Sequence, residues 1–135
     1  MIQGPPIALA RPRFASRTRI YDSQRHQKLV HQMEIRQQYE LYHQPDLLLS
    51  GKALLLDVTF GMEIPKSHQK RKDQLLNTAH IFKPDLSNLI KYIEDVCTGI
   101  LYADDCLISN IIARKIYVNV AHTMFTIRVM KGLLV

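Results

Sequence analysis

HIFKPDLSNLIKYIEDVCTGILYADDCLI, residues 80–108, holds a Lys-Pro-Asp turn, an amphipathic segment, a glycine and a pair of aspartates. Pro84 biases Lys83 away from helical angles, so a helix is expected to start beyond it. Leu86, Leu89, Ile90, Ile93, Val96 and Cys97 recur at intervals of three and four residues, which makes one apolar stripe. Gly99 can end that helix in a left-handed cap. The chain then turns back through Tyr102 and Ala103, and Asp104-Asp105 opens a strand. This return is expected to bring Asp104 and Asp105 near Asp85. Ordinary structural roles are open to the same acids. Asp85 or Ser87 can cap the helix, and Asp104 with Asp105 can make a polar turn.

Carboxylates gathered in a basic chain invite a second reading. Lys and Arg number 18 against 12 Asp and Glu, a formal charge of +6 over 135 residues. That balance favours a polyanionic partner, nucleic acid above all. The length fits one domain with a real core, and the hydrophobic fraction of 47% is that of a globular protein. No run approaches the ~18 apolar residues of a membrane helix. The start, MIQGPPIALARPR, lacks a basic segment followed by a long apolar one, so neither a signal peptide nor a membrane partner is expected. Cys97 and Cys106 read as small core residues of a cytoplasmic protein. The six histidines are scattered, with no pair at zinc-ligand spacing backed by cysteines.

Outward from the central stretch the chain predicts alternating strands and helices. Residues 6–14, PIALARPRF, read as an extended strand with Arg11 and Arg13 on one side. Pro12 argues for its edge or end. A helix is expected from about Asp22 to Tyr42, capped by Asp22 or Ser23 and ended by Pro45-Asp46. Leu29, Val30, Met33 and Leu41 give it an uneven apolar face, opposite a polar one to which no chemistry is assigned. Residues 52–62 read as a central strand, with Leu54, Leu56, Val58 and Phe60 on one face and Asp57 on the other. Residues 63–80 form a long basic loop carrying Lys66, Lys70, Arg71 and Lys72, with a short helical turn near Asp73–Asn77. Such a run is a solvated loop or a clamp on a DNA backbone. Residues 106–118 and 123–130 read as two more strands joined by Asn119–His122. The order implies one α+β domain, residues 1–135, in which a mixed β-sheet is packed with helices.

The same residues resemble the RusA family of Holliday junction resolvases. Its signature runs roughly K-P-D-x-D-N-x-x-K, a helix, a Gly, and a D-D pair before a strand. Here it stands as Lys83-Pro84-Asp85-Leu86-Ser87-Asn88, then Lys91, Gly99 and Asp104-Asp105. The Arg11-Pro12-Arg13 element, Ile20-Tyr21-Asp22, and the Pro65-Lys66-Ser67 segment with its lysines and histidine are similar to family features too. The likeness spans roughly residues 5–130. Two positions depart from it: Ser87 stands for the family's second aspartate, and Leu107 for a frequent glutamine.

The resemblance implies a RusA-like endodeoxyribonuclease that uses Mg²⁺ or Mn²⁺ to cut four-way DNA junctions in recombination and repair, acting as a homodimer. Asp85, Asp105 and Lys91 would be catalytic. Asp85, Asp105, Asp104 and Ser87 would form the metal set, since hard oxygen ligands select these ions. Arg11, Arg13, Lys66, Lys70, Arg71, Lys72 and Lys83 would bind DNA. Ser87, a neutral and poorer ligand, opens an alternative: a junction- or DNA-binding homologue that has lost cleavage. A basic interaction module without junction preference is a third reading.

Overall fold

The computed structural model describes residues 1–17, 19–40 and 49–131. At its centre lies β4 (Leu54–Glu63), parallel to β5 (Ile108–Val118) on one side and antiparallel to β6 (His122–Val129) on the other; β1 (Ile2–Gln3) pairs with β6. The sheet is therefore mixed, in the order β1-β6-β4-β5. It packs with helices in the expected α+β manner, among them α1 (Arg25–Glu40) and α3 (Leu86–Cys97), with a short α2 (Lys72–Leu75) in the connection. A parallel pair needs a crossover connection, and the chain between β4 and β5 supplies it through α3. No helix among the described residues is long and apolar enough to cross a membrane.

The alternation in β4 explains the core. Leu54, Leu56, Val58 and Phe60 are buried together with Leu89, Ile93, Val96 and Cys97 from the stripe of α3. Tyr92 joins them, and its hydroxyl meets Nδ1 of His31 on α1 at 2.7 Å. Asp57 lies on the opposite face of β4, where Arg114 reaches it at 3.3 Å. Gly99 adopts φ +80°, as a left-handed stop requires.

β5 and β6 follow one another in sequence yet flank β4. Asn119–Ala121 must therefore cross the end of β4, where Glu63 pairs with Val118 and Gly61 with His122. A Cβ on Gly61 would meet Cγ2 of Val118 at 2.8 Å and Cε1 of His122 at 3.0 Å. Gly61→Ala should consequently lower stability by about 1–3 kcal/mol. Thermal unfolding should show a Tm several degrees lower, and an unchanged Tm would mean the crossing is slack.

Four expectations need correction, the first being Cys106, which is exposed and not a core residue, unlike the buried Cys97. Residues 6–12 form no strand; only Arg13–Ser16 does, as β2, and it pairs with β3 (Arg19–Tyr21) in a separate two-stranded sheet. Pro5, Pro6 and Pro12 lack the N–H a ladder needs. Instead, Leu9 N–H donates to Asn88 at 3.0 Å, and the Gln24 amide bonds Ala8 and Ala10, both at 2.9 Å. Helix α1 starts at Arg25, and Asp22 accepts the Gln24 N–H at 2.8 Å just outside it. Its inward residue is Ile35, whereas Leu29, Val30 and Met33 are exposed. Leu41, Tyr42, Pro45 and Asp46 lie outside the described residues. The basic stretch is no loop: Lys66–Arg71 is a 3₁₀ helix that runs into α2.

Candidate active site

Asp85 occupies the N-cap position of α3 but caps nothing with its side chain. Asn88 and Leu89 donate instead to its backbone carbonyl. The freed carboxylate, half exposed, accepts a hydrogen bond from Lys83 Nζ at 2.8 Å. That bond and the Lys83 charge hold Asp85 below the usual carboxylate range, with a smaller contribution from Lys115. Ser87 is exposed in the first turn, and its hydroxyl has no hydrogen-bond partner among the described residues. Capping is thus not what either side chain does. Lys91 is exposed on the same helix.

Lys115 on β5 was not foreseen, and it holds the turn in front of α3. Its Nζ donates to the carbonyls of Phe82 and, at 2.7 Å, Pro84, on either side of the cis Lys83-Pro84 peptide. The turn is also tied to β5 through its backbone: His80 N–H donates to Lys115 and Asn77 N–H to Tyr117. The His80 ring tilts against Tyr117 at 4.8 Å, and its pKa is lowered by burial and then by the Lys115 charge. Ile81 and Phe82 beside it are exposed. A cation inside an apolar strand, as in Ala113-Arg114-Lys115-Ile116, is the signal that could have marked Lys115. Lys115→Met should loosen residues 81–86 by about 1.5–3 kcal/mol, the usual worth of a charged donor. Amide hydrogen exchange there should quicken, and Lys115→Arg should restore most of it; equal exchange in all three proteins would remove this role.

The other acids gather elsewhere. Asp104 caps the 3₁₀ turn Asp105–Leu107, accepting from the Cys106 N–H at 3.0 Å. That bond, then one shared with Asp105, lowers its pKa. Asp105 moves the other way: the hydrogen bond with Asp104 raises its pKa first, followed by slight burial and by the charges of Asp104 and Asp95. The Glu94 carboxyl is pushed up by burial and then by Asp105, against the pull of Lys91. Asp104 and Asp105 therefore sit against the last turns of α3, where the helix C-terminus adds partial negative charge.

Asp85 is at the opposite end of that helix. From Asp85 to Glu94 the rise alone is about 14 Å. Along β5, from Ile108 beside the acid pair to Lys115 beside the Asp85 turn, the span is about 23 Å. The expected convergence of Asp85 with Asp104 and Asp105 does not occur within one chain. No group of three metal-ligating side chains forms among the described residues.

The basic residues flank the Asp85 end. Lys66, Lys70 and Arg71 are exposed and Lys72 half-buried on the 3₁₀–α2 segment, which leads through Asn77–His80 to the turn. Arg11 precedes β2, Arg13 lies in it, and both are exposed. Among the described residues none of these six pairs with a carboxylate, unlike Lys83.

The family model for endodeoxyribonuclease RusA matches residues 3–128. The chain belongs to the RusA endodeoxyribonuclease family. The match runs from Gln3 in β1 to Arg128 in β6 and takes in both groups of acids. RusA proteins are endonucleases that resolve Holliday junctions, and DNA is a polyanion of the kind that the basic balance favours. No curated protein and no solved structure matches the chain.

Proposed function

We propose that this RusA-family protein is a Mg²⁺- or Mn²⁺-dependent endonuclease that resolves four-way DNA junctions in recombination and repair, as a cytoplasmic homodimer. The observation that carries the reading is the family match across residues 3–128; in support, Asp85, Lys91, Asp104 and Asp105 stand in the sequence stretch that resembles the family motif. The donor set fits the ion in part. Mg²⁺ takes one or two carboxylates and completes its shell with water and substrate phosphate. Asp104 and Asp105 suit that role, because carboxyls that otherwise share a proton gain from a cation between them. The bound ion would supply Lewis acidity and a water of lowered pKa.

Asp85 would complete the centre. Since α3 holds it away from Asp105, a centre that uses both takes them from two chains, which joins the metal reading to the homodimer. Two-fold symmetry would then supply two centres for two matched cuts. The exposed stripe of Leu29, Val30 and Met33 on α1 is apolar surface of the kind a second copy covers. Lys91 would hold the scissile phosphate or its developing charge. Arg11, Arg13, Lys66, Lys70, Arg71, Lys72 and Lys83 would hold the backbone of the arms.

Ser87 favours a second reading, a homologue that binds junctions without cutting them. Its exposed hydroxyl stands where the family pattern has a carboxylate. The deciding experiment incubates purified protein with mobile and fixed four-way junctions, with Mg²⁺ or with chelator, while light scattering follows its mass. Paired Mg²⁺-dependent nicks by a dimer are expected. Tight junction binding without nicks at any Mg²⁺ level would favour the second reading, and equal affinity for linear duplex would dismiss both.

A further inference from the structure

The β2–β3 ribbon belongs to neither edge of the main sheet. Its register sets Phe14 opposite Ile20 and Arg13 opposite Tyr21. Side chains alternate along a strand, so Phe14 and Ile20 share one face while Arg13, Arg19 and Tyr21 share the other. Both faces are open, and Phe14 is 73% and Ile20 63% exposed. Arg11, Arg17 and Arg25 add three more cations around the ribbon. Among the described residues, none of these arginines pairs with a carboxylate. Asp22, the acid next in sequence, is engaged by Lys28.

A bare aromatic–aliphatic pair beside uncompensated arginines selects its occupant. A second copy of this chain would bring like charge against like charge. A lipid or apolar peptide would leave the arginines unanswered. DNA answers both, with phosphates for the arginines and flat base faces for Phe14 and Ile20. Two-stranded ribbons fit DNA grooves, and inserted apolar side chains part base steps. At a branch point base pairs exchange stacking partners between arms, so parting a step there costs less than inside a continuous duplex.

We infer that the β2–β3 ribbon is a DNA arm whose arginines grip phosphates while Phe14, backed by Ile20, enters between bases at the branch point. The inference rests on the DNA reading above and adds an element that reads branching itself. A junction with 2-aminopurine at the branch point tests it, because unstacking brightens that base. Wild type should brighten it. Phe14→Ser with Ile20→Ser should leave it at the free-junction level while affinity for linear duplex is unchanged. Replacing Arg13, Arg17 and Arg19 with Ala should flatten the log–log salt dependence of binding by about 0.9 for each phosphate the ribbon no longer neutralises. Independently of any variant, bound junction should protect the wild-type ribbon from trypsin at these arginines. Bound protein cut in the ribbon as fast as free protein would overturn the arm and leave the nuclease reading standing. So would a serine pair that turns dimer into monomer, since that face would then be a protein contact. Wild type that binds no DNA would overturn both.

Discussion

Asp85→Asn and Asp105→Asn should each suppress Mg²⁺-dependent junction cleavage by about 10³-fold, and a one-to-one mixture of the two variants should cleave again. The recovery follows from where α3 puts the acids. Asp85 stands at its N-cap and is paired with Lys83, while Asp105 is coupled to Asp104, Asp95 and Glu94 at its far end. If each centre draws Asp85 from one chain and Asp105 from the other, a hybrid dimer has one centre with both defects and one intact. Half the dimers in an even, fully exchanged mixture are hybrids, so about a quarter of the wild-type centres return. The product should be single nicks more than paired cuts. DNA binding by either variant should be intact or stronger, because removing negative charge near phosphates cannot weaken their attraction. A mixture as inactive as its components, in dimers shown to exchange, would refute the shared centre. Wild-type cleavage by both variants would refute the metal assignment altogether.

This division of the acids marks the limit of what the sequence made legible. Periodicity reports which face of an element is buried. On that basis α3 and β4 could be read almost residue by residue, and Leu89, Ile93, Val96 and Cys97 are indeed buried against Leu54, Leu56, Val58 and Phe60. Periodicity does not report which elements meet end to end. The turn after Gly99 suggested a return toward Asp85, but a return far enough to reach it would have to run the length of α3. The chain needs only a few residues to enter β5, and β5 itself then runs back toward the Asp85 turn. That is why Lys115, and not Asp105, reaches the residues around Asp85.

Local composition misled in the same way at α1 and at the N-terminus. Leu29, Val30 and Met33 looked like an inward face, but α1 docks on α3 through polar groups: His31 to Tyr92, Gln32 to the Val96 carbonyl and Lys28 to Asp95. Those contacts turn Ile35 inward and leave the apolar stripe outside. The PIALARP stretch looked like a strand, yet a segment whose prolines remove ladder donors is held by a glutamine side chain instead. Side-chain docking of this kind has no period, and so no signature in one sequence.

Ser87→Asp should raise the Mg²⁺-dependent cleavage rate by about tenfold, which needs only about 1.4 kcal/mol of added transition-state stabilisation. Ser87 is exposed in the first turn of α3, two residues beyond Asp85, and its hydroxyl is engaged by no described residue. A carboxylate can therefore be placed there without breaking a bond. The positive end of the helix dipole favours it, by about 0.3–1 kcal/mol at an exposed site. The variant should thus be as stable as wild type or slightly more so, and a gain in cleavage cannot be put down to a rescued fold. Stability alone does not prove the ligand role, because the dipole would reward an acid even in a protein that binds no metal. The Mg²⁺ dependence separates the two effects. A new ligand lowers the Mg²⁺ concentration for half-maximal cleavage, whereas a dipole effect raises Tm and leaves that concentration where it was. Ser87→Ala supplies the opposite arm: with no cap to lose, it should leave Tm unchanged, and it should weaken Mg²⁺ dependence only if the hydroxyl already serves as a ligand. Should Ser87→Asp raise Tm while neither the rate nor the Mg²⁺ requirement changes, the missing carboxylate is not what limits this protein, and the junction-binding reading gains the ground the nuclease loses.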